Sequence, residues 1–257
     1  MTSSGSARSR WFRRYPAAAG RPRARLVCLP HAGGTATFFH AWAGALGPDI
    51  EVLATRYPGR QERIAEPCAT SIEQLADPLA AELLPFLDAP VAFFGHSMGA
   101  SLAYELALRL QPAHADRLAG LFVSSREAPH LVTPKEIHLG TDDELIAEVV
   151  RLGGADAALL DDPGIRDIVL PSVRADFGIA GTYRAAAPHP VGCPVVAYAG
   201  DRDPGAGENE MRHWSEVAGH SFDIRVLPGG HFYLNAERDS LTNDIRRRLD
   251  EAVLAPS

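Results

Sequence analysis

Short apolar runs bounded by turn residues alternate with stretches of helical spacing along most of this chain. Runs at Arg25–Leu29, Glu51–Thr55, Val91–Phe94, Leu118–Ser124, Pro194–Ala199 and Phe222–Leu227 predict strands. From Gly99 to Leu110 the apolar positions recur as on a helix, directly after the Val91 run. Trp11, Phe12 and Tyr15 read as the start of an edge strand. The alternation predicts a mostly parallel sheet flanked by crossover helices. With 257 residues and neither repeats nor a low-complexity linker, one domain is expected over 1–257, disordered over residues 1–10.

The alternation breaks between Pro129 and Pro188, where no strand pattern occurs. Thr141 and Glu144 form a capping-box pattern ahead of Leu145, Ile146, Val149, Val150 and Leu152, which closes at Gly153-Gly154. Asp162-Pro163 is a second helix start, a cap residue with proline in the first turn. Pro171 is expected to kink or end that helix, with Val173–Tyr183 continuing as a separate piece. The segment 129–188 therefore reads as a helical lid inserted over the carboxyl ends of the strands.

Composition narrows the classes. A hydrophobic share of 46% with 22% charged residues is globular, and no apolar run reaches the roughly 18 residues of a membrane span. The three cysteines, Cys28, Cys68 and Cys193, are widely spaced, which fits free thiols in a cytoplasmic protein and lacks metal-ligand spacing. The first 25 residues carry seven arginines and no acid. Against a formal charge of −7 for the whole chain, that leaves −14 on the other 232 residues. An acidic body argues against a nucleic-acid enzyme. The basic start reads as a partly ordered, solvated terminus, with a partner-binding arm or a transit-peptide-like segment as the other readings.

Gly95-His96-Ser97-Met98-Gly99 lies where an apolar strand meets a helix, the setting in which G-x-S-x-G forms a nucleophile elbow. The bare pattern arises by chance in about one such chain in ten, so the strand–turn–helix context carries the weight. A serine needs a general base within reach. Of ten histidines, His231 follows the last strand in Gly229-Gly230-His231-Phe232, on the sheet edge expected to carry the elbow. His96 adjoins the nucleophile but should point elsewhere, and His31, His189, His213 and His220 read as surface or core residues. The imidazole needs a carboxylate. Asp203 is expected to supply it from Gly200-Asp201-Arg202-Asp203-Pro204, with Asp201 making turn hydrogen bonds and Glu127 as the rival acid. The order Ser97, Asp203, His231 is that of an α/β-hydrolase, the fold class expected here. The oxyanion hole would combine the Met98 backbone N–H with one from Pro30-His31-Ala32-Gly33-Gly34, with Ala32 as donor.

These residues resemble the stand-alone type II thioesterases that serve polyketide and nonribosomal peptide synthases. The likeness covers nearly the whole chain after the basic start. It runs through Cys28–Gly34, Tyr57-Pro58-Gly59-Arg60 with Arg63, Phe94–Gly99, Leu170–Asp176, Gly200–Pro204 and Gly230-His231-Phe232. The resemblance implies hydrolysis of aberrant or stalled acyl groups from the phosphopantetheine arm of acyl or peptidyl carrier domains, through an acyl-serine. It also implies no cofactor; a monomer is expected, and the charge and the lack of a long apolar run leave neither nucleic-acid nor membrane partners expected. Arg60 and Arg63 stand as candidates for the arm's phosphate or, as the preferred expectation, for surface ion pairs with the chain's many acids. Carrier domains are usually acidic, so a body at −14 would repel them at long range unless the N-terminal arginines offset it.

Three other readings share part of this pattern. A carboxylesterase or lipase acting on oxygen esters needs the same triad and the same lid. A transacylase also uses a G-H-S-x-G elbow, yet lacks a carboxylate placed like Asp203. A binding module on a hydrolase fold would typically have lost a triad member, and here all three are present.

Overall fold

The computed structural model describes residues 9–18, 20–154, 160 and 162–254. Seven strands pair in the order β1-β3-β2-β4-β5-β6-β7. They are β1 (Phe12–Tyr15), β2 (Ala24–Leu29), β3 (Ile50–Thr55), β4 (Val91–His96), β5 (Leu118–Ser124), β6 (Val195–Gly200) and β7 (Phe222–Leu227). The edge strand β1 is antiparallel to β3, and every other pairing is parallel. The six expected strands are all present, and the aromatic N-terminal segment supplies the seventh.

Eight α-helices occur among the described residues: α1 (Trp42–Ala45), α2 (Ile72–Leu83), α3 (Met98–His114), α4 (Asp142–Leu152), α5 (Pro163–Thr182), α6 (Glu208–Arg212), α7 (Tyr233–Ala236) and α8 (Arg238–Leu254). Strands β2, β3 and β4 are buried along their whole length because helices cover both faces. One layer packs α2, α3 and α6 through Leu75, Leu79, Leu102, Leu106 and Met211. The other packs α1, α7 and α8 through Trp42, Tyr233, Leu241 and Ile245. Each large side chain so buried contributes roughly 1.5–3 kcal/mol, which makes these two layers the main source of stability.

The helices between β5 and β6 occupy the expected insertion. The Thr141 hydroxyl accepts the Glu144 N–H while the Glu144 carboxylate accepts the Thr141 N–H, and Gly153 ends α4 at φ 79°. Asp162 caps α5 by accepting the N–H groups of Gly164 and Ile165. Pro171 behaves otherwise than its chemistry implies, for α5 runs as one helix of 20 residues through it. Proline removes one intrahelical bond there, but Leu170 and Val173 on either side are buried with Leu145 and Leu160 in the insert's own small core. Pro78 and Pro112 are tolerated inside α2 and α3 in the same way.

Of the segment 1–10 expected to be disordered, residues 1–8 lie outside the described residues, whereas Ser9 and Arg10 are engaged. The Ser9 hydroxyl accepts the Trp11 and Phe12 N–H groups and donates to Glu82, and Arg10 pairs with Glu66. The basic start is not a free arm from there on. Arg13 pairs with Glu62, Arg14 and Arg25 with Glu51, and Arg23 with Asp49. All three cysteines are free thiols. No described helix is long and apolar enough to cross a membrane.

Candidate active site

The carboxyl end of β4 turns sharply into α3 at Ser97, whose backbone sits at φ 54° and ψ −120°. This is a costly conformation for a residue with a side chain, and its surroundings hold it. The Ser97 N–H donates to the Ser124 carbonyl at 2.8 Å, and the Ala100 N–H donates to the Ser97 carbonyl at 2.9 Å. The glycine spacing has a steric cause. A Cβ at Gly95 would run into the backbone of Gly99, and one at Gly99 would run into the Leu29 carbonyl. The turn can therefore close only with glycine at both positions.

His231 and Asp203 meet beside this turn. Both carboxylate oxygens of Asp203 lie 3.0 and 3.1 Å from His231 Nδ1, with the Asp203 side chain fully buried and the imidazole 5% exposed. Asp203 also accepts the backbone N–H of Gly205 at 2.8 Å. Burial alone would raise its pKa; the hydrogen bond and charge of His231, the Gly205 N–H and the Ser125 hydroxyl outweigh that and hold it below the usual carboxylate range. A carboxylate can only accept, so Nδ1 carries the proton and Nε2 is left as the basic nitrogen. Ser97 and His231 line one cavity. No hydrogen bond joins Ser97 Oγ to the imidazole among the described residues, a spacing common before substrate tightens such sites.

The rival acids are otherwise occupied. Glu127 accepts the Thr133 N–H and hydroxyl, both at 3.1 Å. Asp201 accepts the Gly229 N–H at 2.7 Å, which pins the loop that carries His231. His96 is buried behind the elbow, with Nδ1 2.9 Å from the Ser124 hydroxyl, which in turn lies 2.8 Å from the Tyr233 hydroxyl. Its ring lies tilted against His231 at a centroid distance of 5.0 Å and meets His31 edge to face at 5.8 Å. His31 is therefore part of the site's wall rather than a surface or core residue. Burial, with the neighbouring imidazoles, pushes the His96 pKa well down. Burial, His231 and Arg60 push that of His31 down to about 3.

Met98 is the first residue of α3, so its N–H has no carbonyl partner within the helix. Facing it is the loop after β2 that carries Ala32 and Gly33, both lining the cavity. This loop is fastened in a way that periodicity and motif did not reveal. Asp176 of α5 accepts the Gly33 N–H at 2.8 Å and takes a two-pronged ion pair from Arg60 at 2.6 and 2.7 Å. Arg60 also donates to the Gly34 carbonyl, and the Tyr57 hydroxyl donates to the Pro30 carbonyl. Arg60 is thus spent in a buried ion pair and is unavailable to a phosphate; the expected surface pair is an interior one. Arg63 is spent as well, on Glu66, on the Arg56 carbonyl and against the Trp11 ring at 4.0 Å.

The cavity holds about 250 Å³ and is mostly apolar, walled by Ile137, Leu152, Ile165, Val169, Val173 and Phe177 of the insert. A serine on a strained turn, an oriented imidazole and an apolar chamber suit acyl transfer through an acyl-serine.

The thioesterase-domain family model matches residues 24–249. The chain is 43% identical to the thioesterase PikA5 of Streptomyces venezuelae, over 93% of this chain and 85% of that protein. It is 35% identical to the gramicidin S biosynthesis protein GrsT of Aneurinibacillus migulanus, over 90% and 91%. Its fold superposes on the type II thioesterase BorB from the borrelidin biosynthetic cluster with a TM-score of 0.84, at 42% identity, covering 93% of this chain and 97% of that one.

Proposed function

The chain belongs to the thioesterase family of α/β-hydrolases, and we propose that it hydrolyses acyl thioesters on the phosphopantetheine arm of acyl or peptidyl carrier domains, clearing aberrant or stalled chains during polyketide or nonribosomal peptide synthesis. One observation carries this reading. Ser97 and the Asp203-paired His231 open together on an apolar chamber roofed by the insert.

In this reading Asp203 fixes the Nδ1–H tautomer, and Nε2 takes the Ser97 proton as Oγ adds to the thioester carbonyl. The oxyanion is held by the Met98 and Ala32 N–H groups, each worth roughly 3–4 kcal/mol in the transition state. The C–S bond breaks, and the proton on Nε2 passes to the departing sulfur, giving free pantetheine thiol and an acyl-serine. Nε2 then takes a proton from water as the hydroxide adds to the ester. Collapse returns that proton to Ser97 Oγ and releases the acid. Arg10, Arg13, Arg14, Arg23 and Arg25, candidates for offsetting repulsion toward an acidic carrier, are engaged with this chain's own acids, which favours a weak, transient encounter.

The test is to present one short acyl group on a carrier protein, on a simple thiol and as an oxygen ester. Fastest release from the carrier is the expected outcome. Equal or faster cleavage of the oxygen ester would reduce the function to that of a carboxylesterase with the same triad.

A further inference from the structure

Arg126, just past the end of β5, lines the acyl chamber. Its Nε donates to the Ser101 hydroxyl at 3.1 Å and one Nη to the Ala180 carbonyl at 2.6 Å. The other, Nη1, has no partner among the described residues and is not fully buried. Among the described residues no carboxylate forms an ion pair with this guanidinium, whose pKa burial pushes down to about 10. The acids nearby are committed elsewhere, Glu127 to Thr133 and Glu148 to Arg151. Glu127 offsets part of that burial through its charge, but a largely buried cation whose hydrogen bonds go only to neutral oxygens is costly unless something bound supplies a further acceptor. Lys135, Glu127 and Glu148 share the wall, so its formal charges balance and a neutral oxygen fits better than an anion.

We propose that Arg126 is a specificity-determining residue whose Nη1–H donates to a keto or hydroxyl oxygen on the acyl chain, so that the chamber selects oxygenated acyl groups over alkyl groups of equal length. This rests on the thioesterase reading above. The apolar remainder of the wall would take the aliphatic parts of such a chain.

The experiment compares kcat/KM of the wild type and Arg126→Met on N-acetylcysteamine thioesters of hexanoyl, 3-oxohexanoyl, 5-oxohexanoyl and hexanedioyl groups. Methionine fills similar space without donors, and the wild-type/variant ratio cancels each thioester's intrinsic reactivity. At least one oxo substrate should lose about 10-fold more than hexanoyl, the size of one lost hydrogen bond to a charged group. Equal losses on all four would make Arg126 purely structural, and a loss confined to hexanedioyl would make the ligand a carboxylate; either overturns the proposal. If the variant does not fold, non-hydrolysable thioether analogues of the hexyl and oxohexyl chains are compared as ligands of the wild type by calorimetry. About 10-fold tighter binding of an oxo analogue is expected, and equal affinity overturns the proposal. Should the wild type cleave none of the thioesters, the activity assignment has failed, and the calorimetric pair still decides Arg126.

Discussion

Asp176 is the sharpest place to perturb this molecule. Its carboxylate takes two N–H bonds from Arg60 and one from Gly33, and the two side chains are only 8% and 4% exposed, so the discount due to a surface pair does not apply. Burial alone would lower the Arg60 pKa, and the facing carboxylate more than offsets that. Asp176→Asn keeps the shape and strands the guanidinium. Breaking a buried pair on one side costs about 3–5 kcal/mol. The second consequence is catalytic. One amide oxygen is left to serve both Gly33 and Arg60, so the hold on Gly33 and Gly34 weakens, and if the Ala32 N–H swings out of line, kcat falls by about 10²–10³, as for one lost oxyanion donor. Urea unfolding followed by tryptophan fluorescence reads the first effect; thiol release from a simple thioester reads the second. The two separate in Arg60→Met/Asp176→Leu. Replacing the whole pair with apolar groups should recover most of the stability, while kcat stays low because the loop is still unheld. A stability loss under about 1 kcal/mol for Asp176→Asn would refute the energetic argument. Recovery of kcat in the double variant would refute the positioning argument.

Ser97→Ala and Ser97→Gly should both abolish turnover, but at φ 54° the glycine variant should be the more stable by about 1 kcal/mol in urea unfolding; equal stabilities would mean that the elbow is unstrained. Asp203→Asn should lower kcat by about 10⁴ through the wrong imidazole tautomer while Glu127→Gln changes it little, and the reverse pattern would move the triad acid to Glu127. His31 and His96 are held neutral, with pKa values below the ordinary 6.5, so the unfolded chain takes up protons that the folded chain refuses as pH falls from about 6.5 toward 4. Their contribution is therefore complete above pH 6.5 and is lost below it, at up to about 1.4 kcal/mol per pH unit for each group. His96→Asn, whose amide can still meet Ser124, should flatten that slope by one proton's worth, and an unchanged slope would show that His96 does not contribute. Hydrogen exchange should be slower across residues 172–181 of α5 than across residues 143–152 of α4; equal protection would mean that the insert moves as one piece.

Much of this architecture was legible because it is written in local signals. Strand runs, the Thr141 and Asp162 caps and the elbow's glycines each act within a few residues, and the sheet order then carries Ser97, Asp203 and His231 to one edge. What stayed hidden depends on pairs of side chains far apart in the chain. Arg60 and Asp176, 116 positions apart, were visible only as family-like motifs, and neither periodicity nor composition says that one faces the other. Arg60 looked like an exposed charge for the same reason. Pro171 misled because a local rule about one missing N–H was outweighed by burial on both sides of it. Glu127 and Asp203 both sit just past strand ends, and only their long-range contacts separate them, Asp203 meeting His231 and Glu127 held by Thr133.

The helix α5 belongs to two machines at once. Val169, Val173 and Phe177 form the chamber wall, while Asp176, on the same helix, holds the loop that carries the proposed oxyanion donor Ala32. Val173 lies so close to Gly33 that a Cβ there would sit 2.9 Å from its side chain. Farther along, the Ala180 carbonyl accepts from Arg126 and the Gly181 carbonyl accepts from the Lys135 N–H. The carboxyl-terminal half of α5 is therefore bolted to the hydrolase body at Asp176 and Ala180, the first through a buried ion pair, and to the start of the insert at Gly181. By contrast α4 is tied back through Asp142 to Arg174 of α5 and through the insert's own small core. If the roof opens to admit an acyl-pantetheine arm, the lower cost lies in moving α4 over a fixed α5, because swinging α5 would break the Asp176 clamp and disassemble the oxyanion loop. Chain selection at the α4 side can then vary without touching the chemistry, whereas a change on the α5 face should shift acyl preference and kcat together.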